Sequence, residues 1–332
     1  MDISSTPEWR LEPVKSIEPT QSTLFPRLIR PTERTSSALS DVDRRYAENA
    51  LAESGAVLLR GFEVPDEAAF ESLAGRLCRS LEPSYGDLVK RETASFVYDA
   101  TRYPSDRAIL FHNEGSHTPR LPTRQFFFCA KDGFSGGETP FVDCRAVFSA
   151  LDAAIAQRFL RDGLLYVRNF MRGVDVAWQD FFRTDNRLEV ERRCAAQGVE
   201  WTWKRDGGLR ISTRVPAVLR HPLGQLSFCN QIFLHHVSCL DAKTAQALRA
   251  VLPASDLPRN VHFGDGAPIS DELVFELLRT TVKHAVRFSW QRGDVLVLDN
   301  LSTAHARSPF AGERQILVAV GDVVARQALT SA

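Results

Sequence analysis

The sequence predicts a mainly β fold with helical insertions (α+β), in which many short strands form a double-sheet roll. From about residue 94, short apolar runs alternate with turn residues; they are RQFFFCA, TPFVD, GLLYVRNF, VEWTWK, LRISTRV, QLSFCN, AVRFSW, DVLVLDN and RQILVAV. Many short strands with turns between them are typical of two packed sheets. A parallel sheet would instead alternate strand and helix more regularly.

The N-terminal third is predicted to be mixed. Residues 1–38 are rich in Pro, Ser and Thr and are expected to form an irregular arm. The segment 41–55, DVDRRYAENALAESG, begins with an Asp suited to an N-cap and ends at a glycine, so it predicts a helix. A strand is predicted over 56–62, and a helix over 66–81 from its apolar periodicity.

Further helices are predicted near 145–161, 187–197, 241–252 and 271–281. The chain shows no internal repeat and no convincing linker. We therefore expect residues 1–332 to form a single domain, with the arm at its start.

Charge and apolar patterning exclude some broad classes of protein. The 332 residues include 41 basic and 41 acidic side chains, whereas a nucleic-acid binder usually has a basic excess. No apolar run reaches the ~18 residues of a membrane helix, and the N-terminus lacks the pattern of a signal peptide. We expect a cytoplasmic protein without nucleic-acid or membrane partners. Its six scattered cysteines are expected to be buried, reduced thiols.

The segment FHNEGSH, residues 111–117, is a candidate metal site. Residues i and i+2 of a strand point to the same face, so His112 and Glu114 are expected to lie side by side. Two histidines and one carboxylate bind iron in many oxygenases and leave coordination positions open. Because H-x-E alone is a weak signal, a second histidine must come from elsewhere in the chain.

A later segment, DVLVLDNLSTAHARSPFAGERQILVAV, supplies that histidine and a cation. His305 follows a predicted strand, and Arg314 lies on the next one. A guanidinium group can bind a carboxylate through two parallel hydrogen bonds. Arg314 is therefore a candidate partner for the far carboxylate of a dicarboxylate co-substrate.

Together these segments resemble the taurine dioxygenase-like, non-haem iron(II), 2-oxoglutarate-dependent oxygenases. The resemblance covers roughly residues 85–320 and includes RQFFFCAKDGFSGGETPFVDCRAVFSAL and VPAVLRHPLGQLSFCNQ. It is greatest to the branch found in peptide natural-product biosynthesis, which includes amino-acid hydroxylases. The resemblance implies a double-stranded β-helix, a variant of the jelly roll, with the iron inside one open end.

The resemblance also implies the roles of particular residues. His112, Glu114 and His305 would bind Fe(II), while Thr139 and Arg314 would bind 2-oxoglutarate. O2 would be the second co-substrate. Gly136 and Gly137 would form the turn that brings the Thr139 segment across the site.

Two departures from the wider family bear on the substrate. Glu114 stands where many members have Asp, and its presence argues against halogenases, which have a small residue there. Val318 occupies the position where taurine dioxygenases have a sulfonate-binding Arg, so a sulfonate substrate is not expected. Arg91 and Arg210 are candidates for binding a substrate carboxylate, and His221 is a candidate for lining the substrate entrance.

Two other histidine sites carry weaker expectations. His117 is expected to have a structural role close to the metal ligands. The adjacent pair His235-His236 would face opposite ways on a strand and is not expected to bind one metal.

The expected activity is oxidation, chiefly hydroxylation, of an unactivated C–H bond. The substrate would be a small amino-acid-like molecule, free or tethered to a carrier protein, in natural-product biosynthesis. Desaturation or cyclisation is an alternative outcome of the same chemistry. A zinc hydrolase and a jelly-roll binding protein without metal are rivals from other classes. A hydrolase would leave Thr139 and Arg314 unexplained, and the complete set of three ligands argues against a binding protein.

Overall fold

The structure is a computed structural model that describes residues 11, 14–32, 38–83, 90–100, 103–171, 175–221 and 223–329. Its strands are β1 (Lys15–Ser16), β2 (Arg27–Ile29), β3 (Ala56–Leu59), β4 (Tyr98–Asp99), β5 (Ile109–His112), β6 (Arg120–Lys131), β7 (Ser135–Gly136), β8 (Phe141–Asp143), β9 (Leu164–Phe170), β10 (Glu200–Trp203), β11 (Leu209–Val215), β12 (Val218–Arg220), β13 (Leu226–Phe228), β14 (Arg259–Phe263), β15 (Val286–Arg287), β16 (Val295–Asp299), β17 (Thr303–Arg307), β18 (Phe310–Ala311) and β19 (Gln315–Ala325). Short strands are therefore distributed along the whole length of the described chain.

Helices lie between these strands. They are α1 (Asp41–Ser54), α2 (Glu67–Arg76), α3 (Cys144–Ser149), α4 (Ala153–Asp162), α5 (Trp178–Phe182), α6 (Arg187–Gln197), α7 (Ile232–His235), α8 (Ala242–Val251) and α9 (Asp271–His284), with short 3-10 turns at Val237–Cys239, Ala254–Asp256 and Arg326–Leu329. No helix within the described ranges has both the length and the apolar character required to cross a bilayer.

Two sheets form the centre of the described fold. One has the strand order β1-β15-β8-β17-β5, and the other has the order β2-β3-β16-β6-β19-β4. Most of their pairings are antiparallel, although β2 runs parallel to β3 and β1 parallel to β15. Side chains of β6, β16 and β19 pack against Phe141 of β8 in one buried cluster, so the two sheets share a core.

A third sheet, with the order β10-β11-β9-β14, lies beside this centre. Its strands β9 and β14 contribute Tyr166, Val261 and Phe263 to a large cluster that also contains Leu110 and Phe111 of β5. Leu164 and Tyr166, two residues apart on β9, therefore lie on the face of this sheet that shares a core with β5.

Most predicted elements are present, but several bounds differ. Helix α1 is capped by Ser40 instead of Asp41, through a reciprocal bond pair with Asp43. The helix expected over 145–161 is two helices, because Asp152 begins α4 by capping its first amide groups. Of the predicted arm, residues 1–10, 12–13 and 33–37 lie outside the described residues, and the described part includes β1 and β2.

Candidate metal centre

The two candidate histidine ligands are direct neighbours on paired strands. His305 of β17 is the cross-strand partner of His112 of β5, and their imidazole centroids are 4.2 Å apart. Strand β17 also pairs with β8 on its other side, and all of its residues are buried. Antiparallel neighbours bring side chains within contact distance, so the sheet itself brings the two imidazoles together.

Glu114 reaches the same point from a turn. Strand β5 ends at His112, so the i, i+2 strand spacing is not what places the carboxylate. Asn300 fixes the backbone of Glu114 instead: its Oδ1 accepts from the Glu114 amide at 2.7 Å, and its Nδ2 donates to the Glu114 carbonyl at 2.8 Å. Asn113 donates to the Asn300 carbonyl at 2.8 Å and completes this link.

The three side chains suit a divalent metal. One donor atom from each of His112, Glu114 and His305 lies within 4.8 Å of the others. Two ligands at about 2.0–2.2 Å from one ion and at right angles to each other lie about 3 Å apart. His112 Nε2 and Glu114 Oε2 are 3.8 Å apart, so a metal would need to draw the donor atoms together by about 1 Å or more.

Hydrogen bonding leaves the imidazole nitrogens available. His112 Nδ1 is 2.8 Å from the Leu110 carbonyl, so Nδ1 is the donor and Nε2 is free to bind a metal. Within the described part of the chain, the buried Nδ1 of His305 has no hydrogen-bond partner. Burial, with a smaller effect of His112, holds the pKa of His305 well below its ordinary value. His305 is therefore neutral, which is the form that binds metals.

Thr139 and Arg314 line the same pocket as His112, Glu114 and His305. This space, the metal pocket, has a volume of about 50 Å³. Arg314 Nε donates to the Gly137 carbonyl at 2.8 Å, and its Nη2 is 3.5 Å from Thr139 Oγ1. Burial, followed by the nearby Arg307, lowers the pKa of Arg314 to about 10, so the group remains a cation at neutral pH. In the described ranges Arg314 makes no ion pair, and an anion would find a buried cation here.

The other predicted site residues lie elsewhere among the described residues. Arg91 is bound to Glu67 at 2.6 Å and to Asp99 at 3.2 Å. His221 is buried and its Nε2 is 2.9 Å from Asp299 Oδ2. These two side chains do not line the metal pocket.

Arg210 lies on β11, opposite Asn169 of β9, and likewise does not line the metal pocket. Val318, by contrast, lines the pocket directly. The roles of Arg91, Arg210 and His221 in substrate binding remain predictions.

The paired histidines at 235 and 236 do not lie on a strand. His235 ends helix α7, and its ring is 4.9 Å from that of His117 and 4.8 Å from that of Tyr166. His236 turns away, with its Nδ1 at 2.8 Å from Ser238 Oγ. His235 and His236 therefore have separate surroundings, and His117 lies with the first of them.

Gln125 is a pocket residue that the sequence analysis did not single out. It lies on β6 and is 2% exposed, and its Oε1 has no partner within the described residues. A polar residue at the start of the apolar run QFFFCA is the signal that could have pointed to Gln125, because a buried strand seldom includes an uncompensated amide.

Comparison with known proteins assigns the chain to a family. Residues 30–320 match the family model described as taurine catabolism dioxygenase TauD, TfdA family, and the chain belongs to that family. It is thus a dioxygenase, with Fe(II) as its metal and 2-oxoglutarate and O2 as co-substrates.

Individual relatives are consistent with this assignment. The chain is 36% identical over 280 residues to the dapdiamide synthesis protein DdaC of Enterobacter agglomerans, which covers 83% of this chain and 85% of that protein. It is 29% identical over 289 residues to a clavaminate synthase-like protein of Arabidopsis thaliana, with 83% and 84% covered.

Solved structures share the fold. A taurine dioxygenase from Burkholderia xenovorans matches with a TM-score of 0.52 at 17% identity, covering 89% of this chain and 84% of that one. PvcB from Pseudomonas aeruginosa, an Fe, alpha-ketoglutarate-dependent oxygenase from an isonitrile synthetic pathway, matches with a TM-score of 0.51 at 17% identity, covering 93% and 91%. At this level of identity the likeness concerns the fold alone.

Proposed function

We propose that the protein hydroxylates an unactivated C–H bond of an amino acid, or of a carrier-tethered aminoacyl group, in natural-product biosynthesis. The observation that carries this proposal is the meeting of His112, Glu114 and His305 beside the buried cation Arg314 in one pocket. The likeness to a dapdiamide synthesis protein supports an amino-acid-like substrate. A carrier protein is the macromolecular partner that a tethered substrate would require.

The architecture belongs to the same proposal. The two central sheets, which share one buried cluster, are interpreted as the halves of a double-stranded β-helix in a single domain. The metal ligands on β5 and β17 then lie at one end of the roll.

Each pocket residue has a role in this interpretation. His112, Glu114 and His305 would hold the iron, and a set of two histidines and one carboxylate is one that allows co-substrates to bind the same metal. Arg314 and Thr139 bind the distal carboxylate of 2-oxoglutarate and so orient its 2-oxo acid end toward the metal. When bound, iron with 2-oxoglutarate and O2 supplies the oxidising power, yielding succinate and carbon dioxide together with the oxidised substrate.

The apolar walls of the pocket exclude water. Phe127, Ile316 and Val318 line it together with the metal ligands. A dry site strengthens the electrostatic interactions inside it and protects reactive species from side reactions.

The proposal is tested by metal and co-substrate binding under anaerobic conditions. We expect one Fe(II) per chain and a weak visible absorption band on adding 2-oxoglutarate, followed by succinate formation in air. His112→Ala and His305→Ala should each abolish the visible band and the formation of succinate, whereas His284→Ala at the end of α9 should retain both. Unchanged succinate formation in either ligand variant would refute the ligand assignment.

The reaction type is tested by mass spectrometry of products from an amino-acid screen. Hydroxylation gives a product that is heavier by one oxygen atom. A product lighter by two hydrogens would instead establish desaturation or cyclisation. Zinc-dependent hydrolysis without succinate would refute the oxygenase proposal.

A further inference from the structure

A second and much larger cavity adjoins the metal pocket. Its volume is about 560 Å³, whereas that of the metal pocket is about 50 Å³. Sites for small organic molecules usually have volumes of about 300–1,000 Å³. Ile109, which begins the strand of the metal ligands, lines both spaces. The larger cavity therefore has the room for an organic substrate that the metal pocket lacks, and the two spaces share Ile109 as a wall.

The walls of this cavity are predominantly apolar. Leu110 of β5, Phe233 and Leu234 of α7, Leu240 and Leu257 line it. Burial of an apolar ligand surface against such walls is favourable by roughly 25 cal/mol per Å² before the costs of association. The body of a ligand in this cavity should accordingly be hydrocarbon-rich.

Charged groups are concentrated on one side of the cavity. Arg259 and Asp175 line it, and the Arg259 Nε is 3.9 Å from Asp175 Oδ2. The same Asp175 oxygen is 3.2 Å from Nε of Arg168, so two guanidinium groups share one carboxylate. These three groups together carry one net positive charge. The Arg259 side chain is 45% exposed, whereas that of Asp175 is 14% exposed. The accessible charge is therefore the cation.

The imidazole of His235, which also lines the cavity, is neutral and cannot serve as the anion for a ligand cation. Burial holds the pKa of this ring well below the ordinary value. Asp175 is the sole acidic side chain among the described residues that line this cavity. A substrate ammonium group would thus find no carboxylate that is not already shared by two arginines.

Arg259 and Ile109 belong to different parts of the fold. Arg259 begins β14 in the third sheet, whereas Ile109 belongs to the central sheet that bears the metal ligands. Helix α7 packs against both β5 and β14. A ligand that contacts both residues extends along α7, with its charged group at Arg259 and its apolar part near the metal pocket.

We propose that this cavity binds the organic substrate, and that the substrate is a carboxylic acid with an apolar body, a free carboxylate bound by Arg259 and no free ammonium group. An amino acid whose amino group is acylated meets this description. A free zwitterionic amino acid and a carrier-tethered aminoacyl group, whose carboxylate is a thioester, do not, so the inference narrows the substrate of the proposed function to an N-acylated amino acid. The inference rests on the proposed function for the direction of the substrate, because the carbon to be oxidised must face Ile109.

The test is calorimetric titration of the metal-free, full-length protein with matched probes. N-acetyl-leucine, N-acetyl-valine and N-acetyl-phenylalanine are compared with their carboxamides and with the free amino acids. We expect at least one N-acetyl acid to bind, and its carboxamide and free amino acid to bind about 10-fold or more weakly, because each loses a charge-assisted contact or strands a charge.

Two variants locate the binding. Arg259→Gln should weaken binding of the N-acetyl acid about 10-fold and abolish its preference over the carboxamide. Arg214→Gln is the matched control, because it removes an exposed guanidinium on β11 that is paired with Glu200 of β10. It should change neither the affinity for the N-acetyl acid nor the preference over the carboxamide. Lack of binding by all three acids, equal binding of the free amino acid, or an unchanged preference in Arg259→Gln would each overturn the proposal.

The result of this binding test can be told apart from the result of the test of the proposed function. Binding is measured without iron, so its failure leaves the metal and succinate results unaffected. Conversely, an N-acetyl acid that binds at Arg259 but is not oxidised by an iron-loaded enzyme that forms succinate would preserve the cavity assignment and count against the proposed reaction.

Discussion

At the scale of single residues, Arg314 carries the proposed binding of the co-substrate carboxylate. Its Nε is bound to the Gly137 carbonyl at 2.8 Å, which fixes the plane of the guanidinium. The side chain is buried but remains charged, since its pKa is lowered only to about 10. A buried cation without an anion is costly, which supports the proposal that a carboxylate binds here.

Arg314→Gln is expected to raise the dissociation constant for 2-oxoglutarate about 10-fold to 100-fold. The variant removes a charge-assisted hydrogen bond worth about 1.5–3 kcal/mol. Thr139→Ala should have a smaller effect of several-fold, and Arg249→Gln on the surface of α8 should have none. The measurement is titration of 2-oxoglutarate into iron-loaded protein. Equal affinities for Arg314→Gln and the parent would contradict the assignment of the co-substrate site.

His117 should make the stability of the protein depend on pH. Burial, followed by Arg259 and Arg168, lowers its pKa from 6.5 to about 3. Between pH 6.5 and about pH 3, the imidazole of residue 117 is protonated in the unfolded chain but not in the folded chain. The free energy of unfolding therefore falls as the pH is lowered from about 6.5 toward 3, by up to about 1.4 kcal/mol per pH unit from this residue.

Urea denaturation at several pH values checks this prediction. His117→Gln should flatten the acid loss of stability relative to the parent protein. Tyr166→Phe, which removes the hydroxyl that accepts from the Gln231 amide but retains both nearby imidazoles, should lower stability without changing the slope. An unaltered slope in His117→Gln would show that the imidazole is protonated normally in the folded protein.

Sequence alone indicated the side chains that meet at the metal pocket, but not how they meet. The spacing of His112 and Glu114 suggested one strand face, yet the strand ends at His112 and Asn300 positions Glu114. Hydrogen bonds between residues far apart in the chain leave no local pattern. For the same reason, nothing near Arg91 in the sequence disclosed its bonds to Glu67 and Asp99.

At the scale of elements, the Gly136–Gly137 turn fixes the position of Arg314. Both glycines have positive φ, 72° and 68°. A Cβ on Gly137 would lie 2.8 Å from Arg314 Cδ and 3.0 Å from Phe310 Cβ. The turn therefore needs glycine both for its backbone conformation and for the close approach of the guanidinium stem.

Gly137→Ala is expected to weaken 2-oxoglutarate binding by about 10-fold or more. The new methyl group must displace the Arg314 side chain, and misplacement by about 1 Å can cost 100-fold in a reaction. Gly224→Ala is a suitable control, since its φ is also positive (86°) but no atom lies within 4 Å of the added Cβ. Both variants strain the backbone, so a difference in co-substrate affinity reports the contact with Arg314.

Element prediction succeeded where periodicity was strong and failed where packing decided. The runs DVLVLDN and LLYVRNF are strands β16 and β9 because their apolar residues are buried on sheet faces. His235 ends helix α7, contrary to the expectation of a strand, because this helix of one turn is too short to show a 3.6-residue repeat. Tertiary contacts, including that of Tyr166 with Gln231, determine such elements.

At the scale of the whole molecule, one buried ion pair joins distant segments of the core. Arg60, just after β3, binds Asp294, just before β16, with Nε–Oδ1 at 2.8 Å and Nη2–Oδ2 at 2.7 Å. Arg60 is 3% exposed and Asp294 is 1% exposed. The pair lies at one end of the antiparallel β3–β16 ladder and fixes its register.

Asp294→Asn is expected to lower the free energy of unfolding by about 3–5 kcal/mol, because it removes the buried anion of Arg60 and leaves only the exposed Glu18, at 3.7 Å. The double variant Arg60→Met with Asp294→Leu should recover part of this loss, since no charge is then buried. Urea denaturation of both variants and the parent gives the comparison. A double variant less stable than Asp294→Asn would show that the pair contributes more than mutual neutralisation.

The prediction of mixed β structure applied to the chain as a whole, but the order of strands did not follow from it. Strand β17 lies between β8 and β5, and β6 lies between β16 and β19. Such neighbours are set by long-range pairing, which one sequence does not disclose. The large cavity beside Ile109 was likewise not predictable, since its walls come from several separate segments.

The cross-strand pairing of residues 112 and 305 has a consequence for biosynthesis of the protein. A nascent chain that has left the ribosome only as far as β16 carries the first histidine and the glutamate but not their partner. Two donors bind a metal ion far less tightly than three, so we expect iron to bind only after nearly complete translation.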